Sequence, residues 1–340
     1  MKRKLTKVNR NPSLDVSGGF SAINDIVIER KEMMNLSHNT LKGYGRVFTS
    51  LYEYFGDRPD AMYITHEEAR SFIRWLQTDK VHYKDRFHNE GIQRGIKPST
   101  INTYLKLCKT IYNELVLAGY IEINPFEGIP CMKRDKEKIK TIPKEDLRLL
   151  IESLNTAYYT EFRLYVAIHV LLDTFGRIDE VLSIKKTDID FDKKTIYFSK
   201  TKTNDPRYVG FSNRTKKLIL ELIEECREFN TVYLFVGVNG EKFQPEAFRA
   251  NLKRYSNYYG IKTHITPHMF RHTAAMLFLE NGGNMRVLQK ILGHRKIATT
   301  EIYAHVSENL QMLQQESYSP LDQVLKGEKK YNKARNRRIR

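Results

Sequence analysis

Two arginines, two histidines and a tyrosine recur in the second half of this 340-residue chain at intervals that suit chemistry on a phosphate ester. In Thr266-Pro-His-Met-Phe-Arg-His-Thr, His268 and Arg271 stand three residues apart, so on a helix they share one face and can reach one phosphate together. Leu292-Gly-His294 follows a helical run, and Tyr303 comes nine residues after that histidine. Upstream, Thr174-Phe-Gly-Arg177-Ile-Asp-Glu180 sets an arginine at a helix start. A phosphodiester under attack gathers negative charge on its non-bridging oxygens, and guanidinium forks answer it with fixed, bidentate hydrogen bonds. A tyrosine, with an ordinary pKa of about 10, becomes a nucleophile once its proton is taken or its phenolate meets such a pocket.

In this order and spacing the motifs resemble the tyrosine recombinases, also called phage integrases. Their signature is an early arginine, a His-x-x-Arg box, Leu-Gly-His and a terminal tyrosine. The resemblance is strong from about 141 to 310 and only architectural from 20 to 130. It implies that Tyr303 is the nucleophile, that Arg177, Arg271 and His294 hold the scissile phosphate, and that His268 assists proton transfer. It also implies a general-acid lysine on a β-hairpin. Lys202, five residues before Arg207, is favoured, with Lys200 on the same face as the alternative. A 3′-phosphotyrosyl link would then form without metal, ATP or any other cofactor. The implied partners are double-stranded DNA at a specific recombination site, a homo-tetramer in the synaptic complex, and accessory DNA-bending or directionality proteins.

One departure stands out. The family usually has glycine two residues before the first arginine, whereas here Phe175 takes that place and Gly176 is adjacent. Glu180 reads as a buttress for Arg177, and His272 and His305 either as supports behind the reacting groups or as structural. Two rivals follow: a type IB topoisomerase-like enzyme that relaxes DNA without exchanging strands, and a DNA-binding regulator with a defunct site.

The rest of the chain must position these groups and the DNA. Lys and Arg number 57 against 40 Asp and Glu, a formal charge of +17, which favours a polyanionic partner through counterion release. Cys108, Cys131 and Cys226 lie far apart, without metal-ligand spacing or a disulfide framework, which suits a reducing cytoplasm. The basic start Met1-Lys-Arg-Lys runs into no apolar stretch approaching the ~20 residues of a membrane span.

Periodicity predicts helices over Ile23–Met34 and Asn39–Tyr54, a capping box opening a third at Thr65, and a fourth from Ser99 to Ala118. Charged residues 131–141 read as a linker. Beyond it, Pro143 starts a helix, an apolar helix runs through Leu164 and Leu171, and the segments at Asp188, Thr195 and Arg207 read as a small antiparallel sheet. Everything after Ser212 returns to helical periodicity.

The expected fold is mainly α, a two-domain C-shaped clamp. A flexible basic arm (1–20) precedes a helical core-binding domain (21–130). After the linker comes a mixed helical catalytic domain with a small sheet (142–318), then a basic tail (319–340). Lys42, Arg46, Lys106 and Lys109 in the first domain, and Lys253 and Arg254 in the second, are candidates for the DNA backbone. Leu310, Met312 and Leu313 are candidates to dock on a neighbouring protomer. Lacking a recognisable folded arm-binding segment, the chain leans towards a simple or transposon-encoded recombinase.

Overall fold

Capping chemistry decides where the first helices begin. The computed structural model describes residues 19–56, 58–81, 94–133, 139–199 and 206–303. Its contacts divide into two units, Met1–Glu137 and Lys138–Arg340.

In the first unit α1 (Gly19–Met33) precedes α2 (His38–Phe55), whose Ser37 cap accepts from the Thr40 amide. Gly19 and Phe20, at the end of the segment expected to be a basic arm, lie in the first turn of α1, where Phe20 is buried and its ring lies 5.6 Å from that of Phe55. Thr65 and Glu68 close the expected capping box of α3 (His66–Thr78). The next helix, α4 (Pro98–Leu117), starts one residue before the Ser99 expected from the sequence. Lys97 is its cap and Pro98 fills the first turn, where a missing N–H costs nothing. The four helices enclose Val27, Leu51, Phe72, Leu105 and Phe126 around Tyr112, whose hydroxyl donates to the Ala61 carbonyl at 2.8 Å.

The second unit opens with α5 (Lys144–Ser153), the apolar α6 (Tyr159–Thr174) and the single turn α7 (Ile178–Val181). Strands β1 (Ile189–Asp190), β2 (Thr195–Phe198) and β3 (Arg207–Gly210) form an antiparallel sheet in that order, pairing Ile196 with Val209 and Phe198 with Arg207. Alternation sends Ile196, Phe198 and Val209 into the core, while the rings of Tyr197 and Tyr208 meet at a tilt, 4.8 Å apart, on the other face. Four helices follow: α8 (Asn213–Glu225), α9 (Pro245–Tyr258), α10 (Pro267–Glu280) and α11 (Met285–Leu292). Helix α6 packs against α8, α9 and α10, which explains why its apolar residues run round the helix instead of forming a stripe.

One sequence expectation fails here. Residues 232–243 are not helical: Val236 bridges Lys242, and Leu234 donates to the Ile184 carbonyl. Asn239-Gly240, with Gly240 at φ +76°, is a turn signal between alternating apolar residues, and it outweighs the helical pattern. The fold is mainly α with one three-stranded antiparallel sheet. Among the described residues no helix is long and apolar enough to cross a membrane.

Candidate active site

Arg177 caps the start of α7, where Glu180 reaches back to it. The carboxylate accepts from the Arg177 amide at 2.9 Å and from its guanidinium at 2.8 Å. From the other side Arg207, the first residue of β3, donates twice to the same carboxylate, at 2.8 and 3.2 Å. Burial pushes the Glu180 carboxyl up, but the hydrogen bonds and charges of Arg207 and Arg177 outweigh it and hold the group below the usual carboxylate range. Two guanidinium groups thus share one ionised carboxylate. Arg207 also donates through Nε to the Ile291 carbonyl at 2.8 Å, at the end of α11.

Arg271 on α10 is only 2 % exposed. Its guanidinium donates to the Phe175 carbonyl at 2.7 Å and to the Leu292 carbonyl at 2.6 Å, and meets His294 Nε2 at 3.2 Å. Because arginine only donates, this contact makes Nε2 the acceptor and leaves the ring proton on Nδ1, which faces the Thr300 hydroxyl at 2.9 Å. Burial first, then the Arg177 and Arg207 charges, press the Arg271 pKa down to about 9, with Glu180 and Tyr303 acting against them. It remains a cation at neutral pH, held among acceptors that carry no formal charge.

The carbonyl of Phe175 points at Arg271 because Phe175 adopts a left-handed conformation, φ 55°. This accounts for the departure seen in the sequence: position 175 takes the left-handed turn that glycine adopts without strain. Gly176 could not carry a side chain, since a Cβ there would lie 2.6 Å from Val181. The Phe175 ring is buried and meets Phe278 edge-on at 5.8 Å. Phe175→Gly is therefore expected to relieve about 1 kcal/mol of backbone strain and lose about 3–5 kcal/mol of packing. The net destabilisation of roughly 2–4 kcal/mol would appear as a lower urea midpoint; an unchanged or higher midpoint would show that the ring contributes little.

Tyr303 is 1 % exposed, enclosed by Ala274, Ala275, Leu279, Leu288 and Leu292. Its hydroxyl meets His272 Nδ1 at 2.7 Å, and burial pushes its pKa up to about 12 despite the pull of Arg271. His268 and His272 share a face of α10, their rings edge-on at 4.6 Å, but His268 is exposed. Hence the imidazole on the tyrosine belongs to His272, which the sequence offered as either a support behind the reacting groups or a structural residue. Its i, i+4 spacing from His268 was the available signal.

Both site imidazoles are pushed down to about 4. For His272 the cause is burial, with help from His268 and Arg271; for His294 it is burial, then Arg271, Arg177 and Arg207. Histidines of the unfolded chain titrate near ~6.5. Between that pH and about 4 the unfolded chain therefore binds protons the folded chain refuses, and stability falls as pH drops through this window. Urea midpoints should decline from pH 7 to pH 4.5, and the decline should shrink in His272→Asn and His294→Asn. Identical pH profiles for wild type and both variants would contradict this.

The remaining candidates lie on solvent faces. Lys42 and Arg46 are exposed on α2, Lys106 is exposed and Lys109 half-buried on α4, and Lys253 and Arg254 are exposed on α9. Arg254 also stacks on Tyr255 at 4.5 Å and donates to its hydroxyl. Lys200, Lys202, His305, Leu310, Met312 and Leu313 lie outside the described residues, as do most of the N-terminal arm and the whole basic tail.

Comparison with known proteins covers the same ground. Residues 140–309 match the model of the phage integrase family. The chain is 25 % identical to tyrosine recombinase XerC of Bacillus pumilus over 72 % of this chain and 85 % of that one. It is 26 % identical to tyrosine recombinase XerD of Rickettsia bellii, over 81 % of this chain and 90 % of that one. In fold it is similar to the Tn1549 transposon integrase in complex with transposon right end DNA, with TM-score 0.66 and 20 % identity over 87 % of this chain and 99 % of that one. It is also similar in fold to a lambda integrase in a tetramer bound to a Holliday junction, with TM-score 0.64 and 14 % identity over 83 % and 79 %.

Proposed function

Because the chain belongs to the phage integrase family of tyrosine recombinases, and so is a DNA recombination enzyme, we propose that it cuts and rejoins double-stranded DNA at a specific site through Tyr303. The tyrosine oxygen attacks the scissile phosphorus, the 5′ oxygen departs, and a 3′-phosphotyrosyl ester forms. Attack by a 5′ hydroxyl of another strand reverses the step. Arg177, Arg271 and His294 hold the non-bridging oxygens, His268 assists proton transfer, and Lys202 protonates the departing oxygen. Fixed guanidinium groups supply the charge neutralisation, and the ester is exchanged instead of hydrolysed, so neither metal nor ATP is required.

The observation that carries this reading is Arg271. A guanidinium almost removed from water, answered among the described residues by two main-chain carbonyls and an imidazole nitrogen, is expensive to bury until an anion completes its surroundings. Arg177 and Arg207 add two further cations against the single carboxylate of Glu180. The local excess of positive charge suits a phosphodiester that gains charge as it reacts.

Lys42, Arg46, Lys106 and Lys109 of the helical first domain, and Lys253 and Arg254 of the catalytic domain, contact the duplex backbone. Four copies pair two sites, with accessory proteins setting direction, to integrate or excise a mobile element or to resolve a dimer in the cytoplasm. The DNA-bound transposon integrase and the lambda integrase tetramer on a junction, both alike in fold, support this class of partner.

The test incubates the wild-type chain with labelled, nicked duplex from the flanks of its own gene, in EDTA and without nucleotide. A denaturation-resistant protein–DNA band supports the reading. Tight binding with no band points to a DNA-binding regulator. Relaxation of any supercoiled plasmid by isolated protomers, without strand exchange, points to a topoisomerase.

A further inference from the structure

Arg207 does more than add positive charge beside Glu180: it touches three separate pieces of the site. Its guanidinium forks onto Glu180 at 2.8 and 3.2 Å, and its Nε donates to the Ile291 carbonyl at 2.8 Å. Its flat face lies 5.0 Å from the Phe198 ring centroid. A Cβ on Gly293, which sits at φ +63°, would come within 3.2 Å of its Nη1, so the guanidinium packs against the backbone that leads into His294. The side chain is 9 % exposed. Each of its nitrogens already donates to an acceptor within the protein, so its fork and its Nε are committed to Glu180 and Ile291.

We propose that Arg207 is a positioning residue that sets both the geometry and the effective charge of the phosphate-binding pair Arg177 and His294. This rests on the reading of the site given above. Two physical effects combine. The Nε bond to Ile291 ties β3 to the end of α11, which fixes the loop carrying His294 relative to Arg177; a displacement of about 1 Å in such a frame costs about 100-fold in rate. The fork onto Glu180 also shares that carboxylate between two cations. Without Arg207 the carboxylate would be left to Arg177 alone and would cancel the charge Arg177 offers to a phosphate. Lysine could keep the charge on Glu180 but could not span Glu180 and Ile291 together.

The experiment measures single-turnover cleavage by the full chain on nicked duplex, with either a phosphodiester or a neutral methylphosphonate at the scissile position. Wild type, Arg207→Lys and Arg207→Gln are compared, with DNA affinity and thermal midpoint measured alongside. On the phosphodiester Arg207→Gln is expected to lose about 10- to 100-fold in rate, with affinity within about 3-fold of wild type. On the methylphosphonate, which has no charge for Arg177 to meet, the penalty should shrink to about 5-fold or less, and Arg207→Lys should fall between wild type and Gln.

Equal penalties on both substrates would reduce Arg207 to a structural brace and overturn the proposal. So would an affinity loss matching the rate loss with a shallower salt dependence, which would mark a direct phosphate contact. If Arg207→Gln does not fold, Arg207→Lys carries the same two-substrate comparison. Failure of the underlying reading shows separately, as a wild-type chain that binds DNA but forms no adduct, and it takes this proposal with it.

Discussion

Tyr303→Phe is expected to remove the covalent protein–DNA adduct altogether, a loss of at least about 1,000-fold, while leaving DNA affinity within about 3-fold of wild type. The substitution deletes one oxygen from a residue 1 % exposed, so the apolar enclosure of Ala274, Leu279 and Leu292 survives. What it does remove is the partner of His272 Nδ1, which should lower stability by roughly 1–3 kcal/mol. The assay is the nicked-duplex adduct gel together with a urea melt. An adduct that persists at comparable yield would place the nucleophile elsewhere in the chain.

The experiment also bears on how the tyrosine becomes reactive. In this structure its hydroxyl is held by His272 and its pKa is pushed up to about 12, so it is a resting group, less acidic than a tyrosine in water. On the proposed mechanism it would have to leave the apolar enclosure and approach the cations that press on Arg271. A slow conformational step before the chemistry is the natural outcome. Single-turnover rates should then depend little on which base leaves with the 5′ oxygen.

Arg271→Lys is the second large effect, expected to cut the cleavage rate by about 100- to 1,000-fold with modest loss of DNA affinity. The positive charge is conserved, but an ammonium on a flexible stem cannot reach the Phe175 carbonyl, the Leu292 carbonyl and His294 at once, as the fork does. Affinity depends on many backbone phosphates spread along the duplex, so losing the geometry of one fork costs it little. Single-turnover cleavage and a filter-binding titration separate the two quantities. A lysine variant cleaving within about 10-fold of wild type would mean that charge, not the fork, does the work.

Much of this arrangement can be read from the chain because it follows short-range rules. Ser37, Thr65 with Glu68, and Asn284 cap the helices that follow them, since an oxygen three residues from a free amide can satisfy it. The hairpin of β2 and β3 follows from alternation, and Arg177 lies at a helix start as its neighbours suggest. What the sequence hides are long-range pairings. Nothing near Arg207 marks it as the partner of Glu180, 27 residues earlier, or of Ile291, 84 residues later. His272 meets Tyr303 across 31 residues, and only the folding of the last turns onto α10 brings them together. Phe175 shows the opposite failure: a local rule, glycine for a left-handed turn, is broken because a buried ring compensates for the strain.

The grip on Arg271 is made by main chain, and that bears on how such a site tolerates genetic change. Its two carbonyl acceptors belong to positions 175 and 292, whose side chains face the hydrophobic interior. No single-nucleotide change can delete a carbonyl. Substitutions at either position act only through backbone path and volume, so those codons can drift among residues of suitable shape while the grip on Arg271 is inherited intact. An engineer diversifying the exposed faces of α2, α4 and α9, proposed above to meet DNA, would therefore keep the libraries away from the few residues that shape the turns at 175–177 and 292–294.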